Sequence, residues 1–365
     1  MVNVKSEIST LKKVMLHIPN KELEILTKDN MNELLFDELL DVPQAKIEYN
    51  NFINILKDND VEVVFIEDLM IETLKHNKDI KNDFINDIIN ESDEEVIAYL
   101  KGLSEEELVE LSIKGLTKNE RFIINPLPNL YFQRDPQMII GNGICINHMS
   151  TSVRKNESIL TKYIFKYHPD YKNTKIFYEP ENGFNIEGGD ILNLSSKVIL
   201  IGISERTSIE GIKSLANHLF NESEIETIIA IEIPKKRASM HLDTIITQVD
   251  YDKFVIYTHD FENSQTHIIT KDNEQLSNRP LKDTLIKYLN LNSITFISCE
   301  DEIEQWNDAV NTLALKPGKV IAYKINEKTN KLLRQNGIEV IELEAKQLGM
   351  GRGGIHCMSQ PLIRE

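Results

Sequence analysis

The chain has 365 residues, of which 41% are hydrophobic, and this is enough for a substantial buried core in one large domain or two ordinary ones. A formal net charge of −17 argues against nucleic acid and anionic membranes as partners, because both attract basic surfaces. No apolar run approaches the roughly 18 to 20 residues that span a bilayer, and the opening MVNVKSEISTLKK lacks the apolar segment of a signal peptide, so a cytoplasmic location is expected.

The first part of the chain is predicted to begin with a β-α-β unit. LKKVMLHI and VEVVFIE have the pattern of strands, and the stretch MNELLFDELLDVPQAKIEYNNFINILKDND between them has helical spacing. From residue 69 to residue 120 apolar residues recur at helical spacing without a convincing strand, and Ser104 with Glu107 forms a capping box. We therefore expect an inserted helical subdomain over residues 69–122 of one catalytic domain that spans residues 1–365.

A degenerate repeat occupies the rest of the chain. Each copy has a polar or acidic residue, a strand, a tight turn, a second strand and often a helix. The copies contain QMIIGNGICIN, ILNLSSKVILIGI, HLDTIITQVDYDKFVIYT and NDAVNTLALKPGKVIAY. Thr207 and Glu210 have capping-box spacing where the helix of the second copy begins. With the opening unit and the strand IEVIELE this makes about five modules, which tend to close into a ring or a solenoid.

The residues that recur at the module starts would gather around one axis, although each could also be an ordinary strand-end polar residue. They are Asp135, Glu187 with Asp190, His241 with Asp243, and Asn307 or Asn311.

Cys357 follows the last strand, behind four glycines and one arginine in QLGMGRGGIHCM. It is one of three cysteines without paired spacing, a number that argues against a disulfide framework and a structural zinc site. Glycines let a backbone approach a ligand closely, and a thiol near a histidine suggests nucleophilic catalysis. His241 is a better partner than His356, because neighbours on an extended chain point to opposite faces.

Two ligand-binding alternatives are weaker. His241 and Asp243 share one face of a strand and have the spacing of metal ligands, but no second histidine pair and no HExxH pattern accompanies them. Gly349, Gly351 and Gly354 match the dinucleotide motif G-x-G-x-x-G, but too little chain follows them to form the required helix and strand. The sequence thus predicts neither a metal nor a cofactor.

Several motifs resemble those of one enzyme family. LPNLYFQRDPQ, EGGD, GISERTS, MHLDT and GRGGIHCM occur in this order in arginine deiminases, and the opening SEISTLKKVMLH and the segment LLFDELLDVPQAKIEYNNF also look like that family. The resemblance implies a pentein fold, an α/β propeller of five modules around a pseudo-fivefold axis with a helical insertion. It also implies hydrolysis of L-arginine to L-citrulline and ammonia without metal or cofactor, in a dimer or tetramer.

The resemblance also implies roles for particular residues. For catalysis it implies Cys357 as the nucleophile, His241 as the general acid and base, Glu187 as its support, and Asp135 and Asp243 as guanidinium-binding acids. For substrate binding it implies Arg154, Arg206, Arg352 and Asn129.

Elementary chemistry agrees with these roles. The charge of a guanidinium is delocalised over three nitrogens, so its carbon needs a strong nucleophile such as a thiolate. Two carboxylates can hold the planar group by paired hydrogen bonds. The alternatives are a related enzyme that acts on another guanidine, such as agmatine or a methylated arginine, and a catalytically silent arginine-binding protein. The chain departs from the family at HIPNKEL, where Arg-Pro-Gly is usual, and at Gln133, where a threonine is usual.

Overall fold

Short strands and helices alternate along the chain in the computed structural model, which describes residues 1–90, 93–119, 121–261 and 264–365. The strands are β1 (Leu11–Leu16), β2 (Glu62–Phe65), β3 (Leu116–Lys118), β4 (Arg121–Ile124), β5 (Gln137–Ile140), β6 (Gly143–Ile146), β7 (Lys175–Tyr178), β8 (Ile191–Asn193), β9 (Val198–Ile203), β10 (Thr227–Glu232), β11 (Ile246–Asp250), β12 (Lys253–Ile256), β13 (Thr266–Thr270), β14 (Asn273–Leu276), β15 (Thr295–Ser298), β16 (Leu313–Lys316), β17 (Lys319–Tyr323), β18 (Glu339–Leu343) and β19 (Gln360–Arg364). The α-helices are α1 (Lys21–Glu24), α2 (Val42–Asp58), α3 (Ile66–His76), α4 (Lys81–Ile88), α5 (Glu94–Gly102), α6 (Glu105–Lys114), α7 (Lys155–Tyr167), α8 (Ile209–Glu222), α9 (Leu281–Leu289), α10 (Glu302–Trp306), α11 (Glu327–Gln335) and α12 (Lys346–Met350). The chain is therefore a mixed α/β protein.

Five sheets of the described residues share one plan, in which two antiparallel strands are followed by a third strand parallel to the second. β5, β6 and β7 have this arrangement, with α7 connecting the parallel pair, and β8, β9 and β10 repeat it with α8. β11, β12 and β15 form the next sheet, and β16, β17 and β18 the one after. β1 lies between β19 and β2, so the last strand of the chain completes the first sheet.

This repetition places chemically active residues at equivalent points. Asp135 precedes β5, Asp190 precedes β8, and Asp243 precedes β11. Asn311 and Cys357 precede β16 and β19 in the same way. Because the hairpins begin in corresponding positions, residues far apart in sequence meet in one site.

Helices α3 to α6 lie between the first sheet and the repeats. α3 and α4 contact α7, and the rings of Phe84 and Tyr163 meet edge to face with centroids 5.2 Å apart. The predicted capping box of Ser104 and Glu107 is confirmed at the start of α6. Residues 91, 92 and 120 of the predicted insert lie outside the described residues, and the division of the chain at residues 69 and 122 stays a prediction.

Three local predictions are wrong. Residues 31–41 do not join α2, because Asp41 caps that helix by accepting from the backbone N–H of Gln44 and a proline occupies its first turn. α8 is capped by Ser208, which accepts from the N–H of Gly211, one residue beyond the predicted cap Thr207. The segment predicted to lack strands, residues 69–120, holds β3, which pairs antiparallel with β4. Within the described ranges, no helix is long and apolar enough to cross a membrane.

Candidate active site

Cys357 lies in the turn before β19, and its side chain is only 3% exposed. Its Sγ is 3.4 Å from Oδ2 of Asp243 and 3.1 Å from Nδ2 of Asn311. Burial raises the pKa of the thiol well above its usual range, and the negative charges of Asp243 and Asp135 raise it further. The sulfur is therefore protonated in this environment and needs an additional positive charge to become a nucleophile.

The glycines before Cys357 let the backbone approach its neighbours closely. A methyl group on Gly354 would lie 2.6 Å from Oδ1 of Asn311, closer than carbon and oxygen can pack. Arg352, two residues earlier, has a φ of +65°, in the left-handed region that side chains other than glycine seldom adopt. The glycine-rich segment is thus a fixed part of the site rather than a flexible tail.

His241 and Glu187 form a buried charged pair. Nε2 of His241 is 2.8 Å from one carboxylate oxygen of Glu187, and the other oxygen accepts hydrogen bonds from the N–H and hydroxyl of Ser150. Burial opposes the charged imidazole, but Asp135 and Glu187 outweigh it and raise the pKa of His241 to about 9. Burial also disfavours the charged form of Glu187 and would raise its pKa, but His241 and Arg206 lower this pKa to about 2. The histidine therefore carries a proton that it can donate.

Asp135 and Asp243 each direct one carboxylate oxygen to a partner and leave the other without one among the described residues. Oδ2 of Asp135 accepts from Nη1 of Arg154 at 2.7 Å, and Oδ2 of Asp243 is 2.8 Å from Nδ1 of His356. Oδ1 of Asp135 is 3.6 Å from Nδ1 of His241, too far for a hydrogen bond, and both Oδ1 atoms are buried. Buried acceptors without donors are costly, so these two oxygens suit a ligand rich in N–H groups.

Two of the predicted substrate-binding residues already form hydrogen bonds to other residues of the protein. Arg154 binds Asp135, and it also pairs with Glu157 at 2.7 Å, so its charge is shared between two carboxylates. The amide of Asn129 donates to the backbone carbonyl of Leu34 at 2.8 Å. Both residues line the same cavity as Cys357.

The other two arginines are less enclosed by carboxylates. Nη1 of Arg206 is 3.8 Å from the carboxylate of Glu187. The guanidinium of Arg352 stacks on the ring of Trp306, with its central carbon 3.4 Å from the ring centroid, and it donates to the carbonyl of the same residue. Arg206 and Arg352 therefore retain donor groups that a substrate carboxylate can use.

The cavity that Cys357 and His241 line has a volume of about 20 Å³, which leaves room for a single water molecule. It is also lined by Leu35 and Arg237, and Arg237 donates to the carbonyl of Leu35 at 2.8 Å and to Asp37 at 2.9 Å. A small organic substrate is larger than this space. Its binding therefore requires some of the lining to move apart.

A second buried network, which the sequence reasoning did not identify, lies behind Asp243. The ring nitrogens of His356 face two carboxylates, Asp243 at 2.8 Å and Glu7 at 3.2 Å, and Glu7 also contacts Arg134 at 3.5 Å. Burial would raise the pKa of Glu7, but Arg134 and His356 lower it to about 2. His356 thus supports Asp243 instead of taking part as a second base. Positions 7 and 356 have no spacing relation that could have linked them.

The sequence is similar over its whole length to those of known proteins. The family model described as arginine deiminase matches residues 32–113 and 102–364. The arginine deiminase of Treponema denticola is 39% identical, and the match covers 100% of this chain and 99% of that protein. The arginine deiminase of Staphylococcus aureus is 41% identical, over 100% of this chain and 98% of that protein.

Solved structures share the fold at much lower identity. An amidinotransferase from Microseira wollei matches with a TM-score of 0.59 and 16% identity, over 100% of this chain and 97% of that one. Dimethylarginine dimethylaminohydrolase from Pseudomonas aeruginosa, complexed with citrulline, matches with a TM-score of 0.58 and 17% identity, over 96% and 99%. The family model and the full-length relatives show that the chain belongs to the arginine deiminase family.

Proposed function

We propose that the protein hydrolyses L-arginine to L-citrulline and ammonia through a covalent intermediate on Cys357. The observation that carries the proposal is the pair of unpartnered carboxylate oxygens of Asp135 and Asp243 beside a buried thiol and a protonated His241. A planar cation with several N–H donors satisfies both oxygens at once. Membership of the arginine deiminase family supports arginine as that cation.

Binding also generates the nucleophile. The guanidinium supplies a positive charge near the sulfur. The pKa of the Cys357 thiol therefore falls when arginine is bound, and the thiol proton leaves the site. Asp135 and Asp243 then hold the guanidinium carbon over Sγ in the geometry of attack. Arg206 and Arg352 have donors available for the carboxylate end of the substrate. Arg154 and Asn129 bind the same end by exchanging their present partners, Asp135 and the carbonyl of Leu34.

The chemical steps use one acid and base. The thiolate of Cys357 attacks the guanidinium carbon, the carbon–nitrogen bond breaks, and His241 donates its proton to the departing ammonia. A thiouronium remains on the sulfur. The neutral His241 then takes a proton from a water molecule that attacks the same carbon, and the thiolate leaves as citrulline forms. Glu187 keeps His241 oriented and favours its charged form.

The same proposal extends to the architecture. Five sheets of one plan support a pentein propeller of five modules around a pseudo-fivefold axis, with residues 69–122 as an inserted helical subdomain of one catalytic domain, residues 1–365. We expect a dimer or tetramer in the cytoplasm. We expect no nucleic acid or membrane partner, because the net charge of −17 disfavours binding to anionic surfaces.

The test is to measure citrulline and ammonia from L-arginine in the presence of EDTA, with agmatine offered in parallel. We expect both products in equal amounts from L-arginine, and a loss of more than about 10⁴-fold in kcat for Cys357→Ala. Agmatine should react poorly, because it lacks the carboxylate.

Other outcomes would contradict the proposal in distinct ways. Turnover of agmatine or a methylated arginine in preference to L-arginine would indicate a related guanidine-modifying enzyme. Binding of L-arginine by a folded protein without any product would indicate an arginine-binding protein. Near-normal citrulline formation by Cys357→Ala would show that the covalent mechanism is wrong.

A further inference from the structure

Asn311 has contacts to the thiol that the proposed mechanism does not use. Its side chain is 2% exposed and lies at the start of the β16 hairpin. Oδ1 accepts from the backbone N–H of Cys357 at 3.0 Å, and Nδ2 donates to the carbonyl of Asp243 at 3.0 Å. The second hydrogen of Nδ2 is directed to Sγ of Cys357, 3.1 Å away.

The surrounding backbone fixes which end of the amide faces the sulfur. A backbone N–H can only donate, and a backbone carbonyl can only accept, so the amide of Asn311 has one orientation that satisfies both Cys357 and Asp243. In that orientation a donor, not an acceptor, meets the sulfur. The backbone of Gly354 lies close to the same amide, since a methyl group on Gly354 would come within 2.6 Å of Oδ1 of Asn311.

The sulfur has opposite neighbours on its two sides. Asp243 lies 3.4 Å away and accepts the thiol proton, so it favours the neutral thiol. Asn311 donates, and a donor binds a thiolate more strongly than a thiol, because hydrogen bonds to charged acceptors are about twice as strong as neutral ones. Among the described residues, Nδ2 of Asn311 is the side-chain donor that lies within hydrogen-bond distance of this sulfur.

We propose that Asn311 is a further catalytic residue, whose side-chain N–H stabilises the thiolate of Cys357 and holds it at a fixed position against Asp243. The inference rests on the proposed function in that it takes Cys357 as the nucleophile. A single amide thus connects the nucleophile with one of the two acids that hold the guanidinium.

The thiolate can be followed without turnover by alkylation. Iodoacetamide is uncharged and reacts with the thiolate, so the pH midpoint of its rate reports the thiol pKa, and mass spectrometry locates the label on Cys357. Opening of the cavity changes the rate at every pH but leaves the midpoint unchanged. The variants are Asn311→Ala, which removes the amide, and Asn311→Asp, which keeps the acceptor for the N–H of Cys357 but places an oxygen against the sulfur.

We expect the midpoint to move to higher pH in Asn311→Ala and further in Asn311→Asp. At a fixed pH below the midpoint, alkylation should slow by about 10- to 100-fold in Asn311→Ala. kcat with L-arginine should fall by a similar factor. Asn307→Ala is the matched control, because it lies in the same segment and, among the described residues, only its backbone is engaged, the carbonyl by Asn326 and the N–H by Ile303. Its midpoint should equal that of the wild type.

An unchanged midpoint in folded Asn311→Asp would overturn the inference. Because Asn311→Asp also adds a negative charge, a raised midpoint supports the inference only if the uncharged Asn311→Ala shows it too. Asn311→Leu, which has a similar volume and no donor, replaces Asn311→Ala if circular dichroism shows that Asn311→Ala is unfolded, and an unchanged midpoint in the folded uncharged variant would overturn the inference. Failure of the proposed function has a different signature, which is citrulline formation by Cys357→Ala, whatever the alkylation midpoints of the Asn311 variants.

Discussion

At the scale of single residues, the site holds a charged histidine and a neutral thiol close to the same carboxylates. His241 keeps its proton because Asp135 and Glu187 raise its pKa, while the thiol of Cys357 keeps its proton because burial and then the carboxylates of Asp243 and Asp135 raise its pKa. A cationic substrate favours the thiolate of Cys357, because it brings a positive charge close to the sulfur. The resting protein is therefore arranged so that the nucleophile forms when the substrate is present.

Glu187→Gln tests the electrostatic support of the general acid. The pKa of His241 is raised to about 9, so the proton for the leaving group is present below that pH and is lost as the pH rises through it. Removing the charge of Glu187 should move the alkaline limb of kcat/KM to lower pH, by at least about one unit. The exposed Glu181→Gln should leave the limb unchanged. An unshifted limb in folded Glu187→Gln would mean that another group sets it.

Much of the candidate site could be predicted from the sequence, because motif order pointed to Cys357, His241 and the acids that the structure brings together. The roles of these residues stay a prediction. The choice between Asn307 and Asn311 stayed open in the sequence because the two are only four residues apart, and only the contact with Cys357 distinguishes them. Glu7 meets His356 across 349 positions, a contact that no local pattern reveals.

At the scale of elements, the tight segment before β19 explains the glycines. A methyl group on Gly354 would displace Asn311, whereas one on Gly349 would meet only Tyr323, at an ordinary 3.7 Å. Gly354→Ala should therefore lower kcat by about 100-fold, and Gly349→Ala should retain it. Citrulline assays on both variants check this, and equal activity would mean that the segment adapts freely.

A buried ion triad connects the end of β1 with helices α1 and α3. His17 lies 3.1 Å from Glu22 and 2.6 Å from Glu67. Burial disfavours the charged ring, but the two carboxylates raise the pKa of His17 to about 10. Its contribution to stability is therefore complete below the unfolded pKa of about 6.5 and is lost as the pH rises through about 10.

His17→Gln should lower the free energy of unfolding by about 3 kcal/mol at about pH 6, since it leaves buried carboxylates without their cation. The difference from the wild type should shrink as the pH approaches 10. Urea unfolding at several pH values measures it, with the exposed His76→Gln as the control. A difference that is independent of pH would exclude the ion triad as its cause.

At the scale of the whole molecule, repetition of one sheet plan is what assembles the site. Hairpins from different parts of the chain contribute Asp135, Asp243, Asn311 and Cys357, and β19 returns to β1 to complete the first sheet. The repeat could be predicted because turn signals and strand patterns recur. The pairing of β3 with β4 and the exact caps of α2 and α8 could not, because each depends on neighbouring side chains and not on periodicity. The dimer or tetramer stays a prediction.

Covalent catalysis by Cys357 can be tested on the intact mass of the protein quenched with acid during turnover of L-arginine. We expect a species heavier than the free protein by arginine minus ammonia, located on Cys357 by peptide mapping and absent from Cys357→Ser. Citrulline formation at the full rate without any such adduct, at quench times shorter than one turnover, would contradict covalent catalysis by Cys357.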